Sequence, residues 1–453
     1  MLDPTRTAVP GPLAWLALVA CAVLAAGCGR GASNDHRTNL ILISIDTLRA
    51  DHLGSYGYER PTSPALDVLA SEGAVFENVS STAPWTLPAH GSLLTGLYPS
   101  RHGLKSNRSQ LPADVRTLAE ILSERGFRTA AFVNSHYVSD RYGFARGFDQ
   151  FEYIEENVSS EGPCAVADEA IAWLSKRQKR PFFLFLHTYD VHSDYRSLES
   201  YEQQFVRAEG RMDGTTAQLQ RVRTGELELS PADVERTIDL YDAGIRQVDD
   251  QIDRLLRHLE SKGLAKHTLV AVTSDHGEEF GEHGGVLHGR TQFEELIHVP
   301  LIMRGPGLPA GARVPTVASL IDVLPTLLGL LDIPVPAGVD GVFLGGAWDA
   351  EHAPPAPRFV FAEADHNNAE ADIKRAVRSQ HHKLHFDRAT GELALYDLTG
   401  DAGEATDFAA QNAATVDVMR TQLERFMTIE TTEQALPPLS TEEAEKLREL
   451  GYF

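Results

Sequence analysis

The chain has 453 residues, 42% of them hydrophobic and 23% charged, the balance of an ordinary globular protein and not of a disordered one. Its net charge of -23, from 64 acidic against 41 basic residues, repels nucleic acid and anionic membrane surfaces and argues against nucleic acid as a partner. The length exceeds the ~250–300 residues at which a single core stops growing, which predicts one large catalytic domain with a smaller appendage.

The leader comes first. Arg6 and the amino terminus precede an apolar run, Leu13 to Leu24, too short to span a bilayer comfortably. Leu24-Ala25-Ala26-Gly27-Cys28 then resembles a bacterial lipobox. The expectation is a signal peptide over residues 1–27, lipidation of Cys28, and a small, polar tether over 28–37. The protein would then be lipid-anchored in the bacterial cell envelope, on the outer membrane facing the periplasm. Ordinary secretion or an uncleaved anchor is the alternative. With Cys21 removed and Cys28 acylated, Cys164 is left alone and no intrachain disulfide is expected.

Asn39 to Ile45 (NLILISI) is a continuous apolar, β-branched run of the kind buried on both faces of a parallel sheet, and it ends at Asp46. Thr129 to Val133 leads to Asn134 and His136, Pro181 to Leu186 to His187, Asp190 and His192, and Thr268 to Thr273 to Asp275 and His276. Four strands that each deliver polar side chains past their C-terminal ends point to one shared site, because open α/β sheets bind ligands at that edge. Helical patterns occupy Leu66 to Glu72, Val115 to Arg125, Ala165 to Arg177 and Val234 to Leu259. The last carries one apolar stripe, started by Ser230, Pro231 and Asp233 and followed by Gly263, and is read as structural. This alternation predicts the α/β class with a largely parallel sheet. Ser193 to Leu229 is polar with little periodicity and reads as an insertion near the site. Beyond a Pro- and Gly-rich stretch, Pro334 to Pro357, Arg375 to Leu398 predicts two or more antiparallel strands about Gly391, and Ala414 to Met427 a closing helix. The catalytic domain is placed at 38–345 and a small α+β subdomain at 358–453.

Trp85 to Gly103 (WTLPAHGSLLTGLYPSRHG) sets one hydroxyl, Thr86, at a helix start with Pro88 in its first turn. Free N–H groups there attract anions, so Thr86 stands against a bound phosphate or sulfate; the alternative is that it merely caps the helix. Asp46, Thr86, Asp275 and His276 form a hard-oxygen and imidazole set suited to one divalent cation, whether calcium, manganese, zinc or magnesium. Such an ion would lower the pKa of the Thr86 hydroxyl and make it a nucleophile. Activation by a base is not expected, since no pattern places a histidine beside an elbow nucleophile.

Taken jointly, SIDTLRADHLGSYGY, the WTLPAHGSLLTGLYPSRHG run, SDHGEEFGEHG and VPLIMRGPG resemble the sulfatase family of the alkaline phosphatase superfamily, from about Asn39 to Gly341. The later YDLTGD resembles that family's C-terminal subdomain. The resemblance implies an alkaline phosphatase-like sandwich: a large, mostly parallel central sheet flanked by helices, plus a small C-terminal α+β subdomain. It implies metal ligation by Asp46 and Asp275, with His276 where many sulfatases have asparagine and Thr47 where they have a second aspartate. The family's activation motif is Cys or Ser, any residue, Pro, any residue, Arg, and its first residue is oxidised to formylglycine. Here the run is Thr86, Leu87, Pro88, Ala89, His90, so no formylglycine is expected. Thr-x-Pro-x-His followed by LLTGLYP, with the Asp275–His276 pair, also resembles the phosphodiesterase, phosphonate ester hydrolase and lipoteichoic acid synthase-like branches with an unmodified threonine.

By the same resemblance Asn134 and His136 match the lysine and histidine that contact sulfate, and His192 matches another such histidine. His288 stands where a lysine often sits, and Asp190 lacks the spacing of a second metal site. Thr86, His90, His192 and His288 are thus the catalytic candidates, and Asn134, His136 and Thr47 the substrate-binding ones. Neutral groups at His90, Asn134 and His288 favour a singly charged ester. The expected function is hydrolysis of a phosphodiester, phosphonate or sulfate ester, small or polymer-borne, by attack of Thr86 on the phosphorus or sulfur. The alternatives are a sulfatase working without formylglycine, a transferase acting on envelope polymers, and a non-catalytic binding lipoprotein.

Overall fold

The computed structural model describes residues 38–155, 162–176, 179–207, 209–348, 358–364 and 374–428, with 434, 435, 441 and 445. The signal peptide, Cys28 and the tether expected over 1–37 lie outside the described residues. Among the described residues no helix is long and apolar enough to cross a membrane.

A nine-stranded sheet forms the centre. Its strands are β1 (Asn39–Ile45), β2 (Ala74–Ser80), β3 (Arg128–Val133), β4 (Gln150–Tyr153), β5 (Phe182–Thr188), β6 (Thr268–Ser274), β7 (His298–Arg304), β8 (Ala312–Val314) and β9 (Ala318–Ser319). They lie in the order β8-β2-β7-β6-β1-β5-β3-β4, with β9 on β2. Strand β7 is antiparallel to β2 and β6, and the other pairs are parallel. The helices are α1 (Pro64–Ser71), α2 (Thr86–Thr95), α3 (Leu118–Glu124), α4 (Gly162–Ser175), α5 (Glu199–Phe205), α6 (Thr216–Arg223), α7 (Pro231–Ser261) and α8 (Val323–Leu330).

Successive strand side chains face opposite ways. Leu40, Leu42, Phe183 and Phe185 enter one core with α2, α3 and α8, while Ile41, Ile43, Leu184 and Leu186 enter the other with α1, α4 and α7. Both faces are covered, which is why these runs are continuously apolar. A one-residue slip would exchange every side chain between the two cores. The long α7 starts at a capping box formed by Ser230 and Asp233, as expected, and lays Ile245, Val248, Ile252 and Leu255 on the sheet.

Three features add to the expectation. Strand β7 carries Pro300, which lacks a ladder N–H; its register against β2 shifts between Val299 and Leu301 to accommodate it. The insertion is not featureless but contains α5 and α6. The C-terminal lobe has four strands, β10 (Val360–Ala364), β11 (Lys374–Arg378), β12 (His382–Asp387) and β13 (Leu393–Asp397), under α9 (Ala413–Met427). Gly391 turns β12 into β13 with φ 80, a left-handed value suited to glycine. The described residues from Thr38 onward cluster as one compact unit, and the C-terminal core draws Tyr98 and Ile321 from the larger part of the chain.

Candidate active site

Strands β5, β1 and β6 lie side by side in parallel, with Ile45 opposite both Thr188 and Ser274. Asp46, Thr188 and the Asp275–His276 pair therefore leave the sheet together at one edge. Helix α2 begins against the same edge. Trp85 is its N-cap and Thr86 its first residue, so the capping reading of Thr86 does not hold. The Thr86 Oγ1 instead stands 3.4 Å from His276 Nε2. A histidine thus does lie beside this hydroxyl, because β6 delivers it from far along the chain where no local pattern could show it.

Asp46, Asp275 and His276 are fully buried and bring ligand atoms within 4.8 Å of one another. The His276 Nε2 lies 3.7 Å from Asp46 Oδ1 and 3.4 Å from Asp275 Oδ2. Its Nδ1 donates to the Gly277 carbonyl at 2.9 Å, which leaves the Nε2 lone pair facing the carboxylates. Asp275 Oδ1 accepts from the backbone N–H of Thr47 (3.2 Å) and His276 (2.9 Å), whereas buried Oδ2 accepts no hydrogen bond. A buried carboxylate oxygen without a proton donor, faced by an imidazole lone pair, fits a divalent cation. Burial opposes charge on Asp275, but the His276, His90 and His187 rings hold its pKa below the ordinary carboxylate value. Burial also pushes His90, His187 and His192 down, toward the neutral ring that metal sites require.

Thr47 stands where the resemblance placed a second aspartate and was expected to touch substrate. It is fully buried, with φ 54, and its hydroxyl makes no hydrogen bond. Its role here is in the backbone. Tyr241 of α7 donates its hydroxyl to the Thr47 carbonyl (2.7 Å) and accepts from Arg49 N–H (2.9 Å), fixing the turn after Asp46.

His90, one turn along α2, has both nitrogens engaged. Nδ1 donates to the Thr86 carbonyl at 2.9 Å and Nε2 meets Ser44 Oγ at 3.0 Å. It supports the first turn of α2 and, at 3.5 Å from Asp275 Oδ2, the carboxylate beneath it. The expectation of a catalytic contact becomes one of support.

His192 and His288 flank the cluster. Ring centroids lie 4.5 Å apart between His276 and His288, and 4.8 Å between His288 and His192. His192 donates Nδ1–H to the Ser193 carbonyl (2.7 Å), and His288 Nδ1 meets Glu278 Oε1 at 2.9 Å. Arg223 of α6 donates to the His288 carbonyl at 3.1 Å, so the insertion reaches the site as expected. Asn134 is buried at the end of β3, but its side-chain oxygen accepts from Tyr189 N–H at 2.6 Å, tying two strand ends together. His136 packs edge-on to Tyr137 and Tyr142. Among the described residues, Asp190 belongs to neither candidate metal group.

The structure adds Tyr241, Glu278 and Arg223 to this neighbourhood, and nothing local marks them. His187, already read as lying past the end of its strand, shares a face with Phe183 and Phe185 and so points into the site's side of the sheet.

The sulfatase family model matches residues 38–333, nearly the whole catalytic part. The chain belongs to the sulfatase family. A second model, the C-terminal region of N-sulphoglucosamine sulphohydrolase, matches residues 281–431. Among curated sulfatases, the Delta 4,5-hexuronate-2-O-sulfatase of Bacteroides thetaiotaomicron is 26% identical over 84% of this chain and 86% of its own length. A solved 2-O GAG sulfatase superposes with a TM-score of 0.75 at 22% identity, covering 88% of this chain and 95% of that one. The phosphonate monoester hydrolase of Agrobacterium radiobacter has a TM-score of 0.69 at 23% identity, covering 90% and 99%. The sulfatase fold, an alkaline phosphatase-like sandwich with a small C-terminal sheet, is therefore the fold of this chain, and it is a hydrolase of that superfamily.

Proposed function

We propose that this sulfatase-family hydrolase cleaves a singly charged phosphodiester or phosphonate ester with the unmodified Thr86 hydroxyl as nucleophile. The observation that carries the reading is Thr86 Oγ1, 3.4 Å from His276 Nε2, at the start of a buried helix above Asp46 and Asp275. A divalent cation held by Asp46, Asp275 and His276 would supply Lewis acidity and lower the pKa of that hydroxyl. The Thr86 oxygen then bonds to the phosphorus as the bond to the leaving oxygen breaks. Water attacks the same phosphorus in a second step and releases the Thr86 hydroxyl. His90 keeps the nucleophile's peptide in place. His192 and His288 stand beside His276 to exchange protons with the leaving oxygen and the water.

Threonine has no route to a formylglycine hydrate, so its ester must be hydrolysed at the central atom, which phosphorus tolerates well. A second reading, sulfate ester hydrolysis without formylglycine, is favoured by the relatives' names, and these also support a sugar-borne leaving group. The test is a side-by-side assay of the metal-loaded protein on aryl phosphodiester, phosphonate, phosphate and sulfate esters. The proposal expects kcat/KM at least about tenfold higher on the first two. A preference for the sulfate ester would overturn it.

A further inference from the structure

His187 is a fully buried imidazole that none of these steps uses. It lies on β5 opposite Ser44 of β1 and Val133 of β3, on the face covered by α2. It is 0% exposed, and neither ring nitrogen makes a hydrogen bond. Its Nε2 lies 3.4 Å from Asp46 Oδ2, and with His90 and Asp275 it forms a second group able to hold a metal. His90 is committed elsewhere, through Thr86 and Ser44. His187 is not.

We propose that His187 Nε2 is a further ligand of the cation held by Asp46, Asp275 and His276, in place of the carboxylate that Thr47 does not provide, and that the centre selects a transition-metal dication over calcium. This rests on the metal-binding reading of those three residues. Asp46 lies between two imidazoles, His276 on Oδ1 at 3.7 Å and His187 on Oδ2 at 3.4 Å. Donor atoms about 2.1 Å from one ion in a tetrahedral shell are about 3.4 Å apart. Among these four residues the spacings His187–Asp46 and His276–Asp275 are both 3.4 Å, and His276–Asp46 is 3.7 Å. Two imidazoles with two carboxylates suit zinc or manganese, whereas calcium takes oxygen donors almost alone. Coordination would also engage a buried ring nitrogen that makes no hydrogen bond.

The test is X-ray absorption fine structure on the zinc-loaded protein, with metal affinity measured by chelator competition. Two imidazoles per zinc are expected for the parent and one for His187→Ala. Affinity should fall by about a hundredfold in His187→Ala, and calcium should fail to displace zinc. Metal-free His187→Ala should melt at or above the metal-free parent, which separates lost binding from lost folding. One imidazole in the parent, or unchanged affinity in both His187→Ala and His187→Asn, would overturn the assignment of His187. If the parent binds no zinc at all, or if Asp275→Ala binds it as well as the parent, the three-residue site itself is wrong.

Discussion

Thr47 takes its side chain through a left-handed backbone region that costs a β-branched residue about 1–2 kcal/mol. Its carbonyl accepts from the Tyr241 hydroxyl, which is itself held by Arg49 N–H, and its own N–H donates to Asp275. The strained turn is thus linked to the carboxylate that faces His276. Tyr241→Phe removes both tyrosine bonds and should lower stability by about 1–3 kcal/mol while loosening Asp275. Calorimetric metal titration should show affinity reduced severalfold; an unchanged affinity would leave Tyr241 with a packing role only. At this scale Asp46, Thr86, Asp275 and His276 were legible because each ends a buried strand or starts a helix. Tyr241 was not, because inside a helical apolar stripe it looks like any core residue. Asn134 and Thr47 were legible as positions, while the backbone groups they meet arrive from elsewhere in the chain and were not.

Helix α2 is buried along its whole length, and its packing turns on His102. A Cβ at Gly91 would come within 2.6 Å of the His102 ring, so glycine is what lets the two meet. His102 Nε2 meets the Pro88 carbonyl at 3.1 Å and Ser92 Oγ at 3.2 Å, while Nδ1 accepts from Leu104 N–H. Burial pushes its pKa down to about 3. A folded pKa below the unfolded ~6.5 means that the neutral ring's contribution is complete above about pH 6.5 and is lost as pH falls toward 3. The urea midpoint of the metal-free protein should therefore fall between about pH 6.5 and pH 4, and fall less steeply in His102→Asn, which is weaker at neutral pH. Parallel pH slopes in the two proteins would contradict this. The long strands and α7 were legible at this scale because period and caps agree. Strand β7 was obscured by Pro300, and α5 and α6 by the polar composition of the insertion.

Across the whole molecule, the parallel centre of the sheet gathers donors from residues 46, 187, 275 and 276 onto one edge, and α2 lowers Thr86 onto them. This convergence was legible in outline from four apolar runs, each ending in polar residues. The C-terminal lobe was legible as antiparallel but not in strand number. Its attachment was hidden: fully buried Lys383 pairs with Glu294 at 3.0 Å and Glu404 at 2.7 Å, joining residues far apart in sequence. What the assembly does chemically turns on one oxygen. Rapid-quench mass spectrometry during turnover of an aryl phosphodiester reads that oxygen directly. The peptide containing Thr86 should gain the substrate's phosphoryl group, and Thr86→Ala should gain nothing and turn over about a thousandfold more slowly. An unmodified Thr86 peptide, together with near-parental turnover by Thr86→Ala, would contradict the account and leave water as the attacking group.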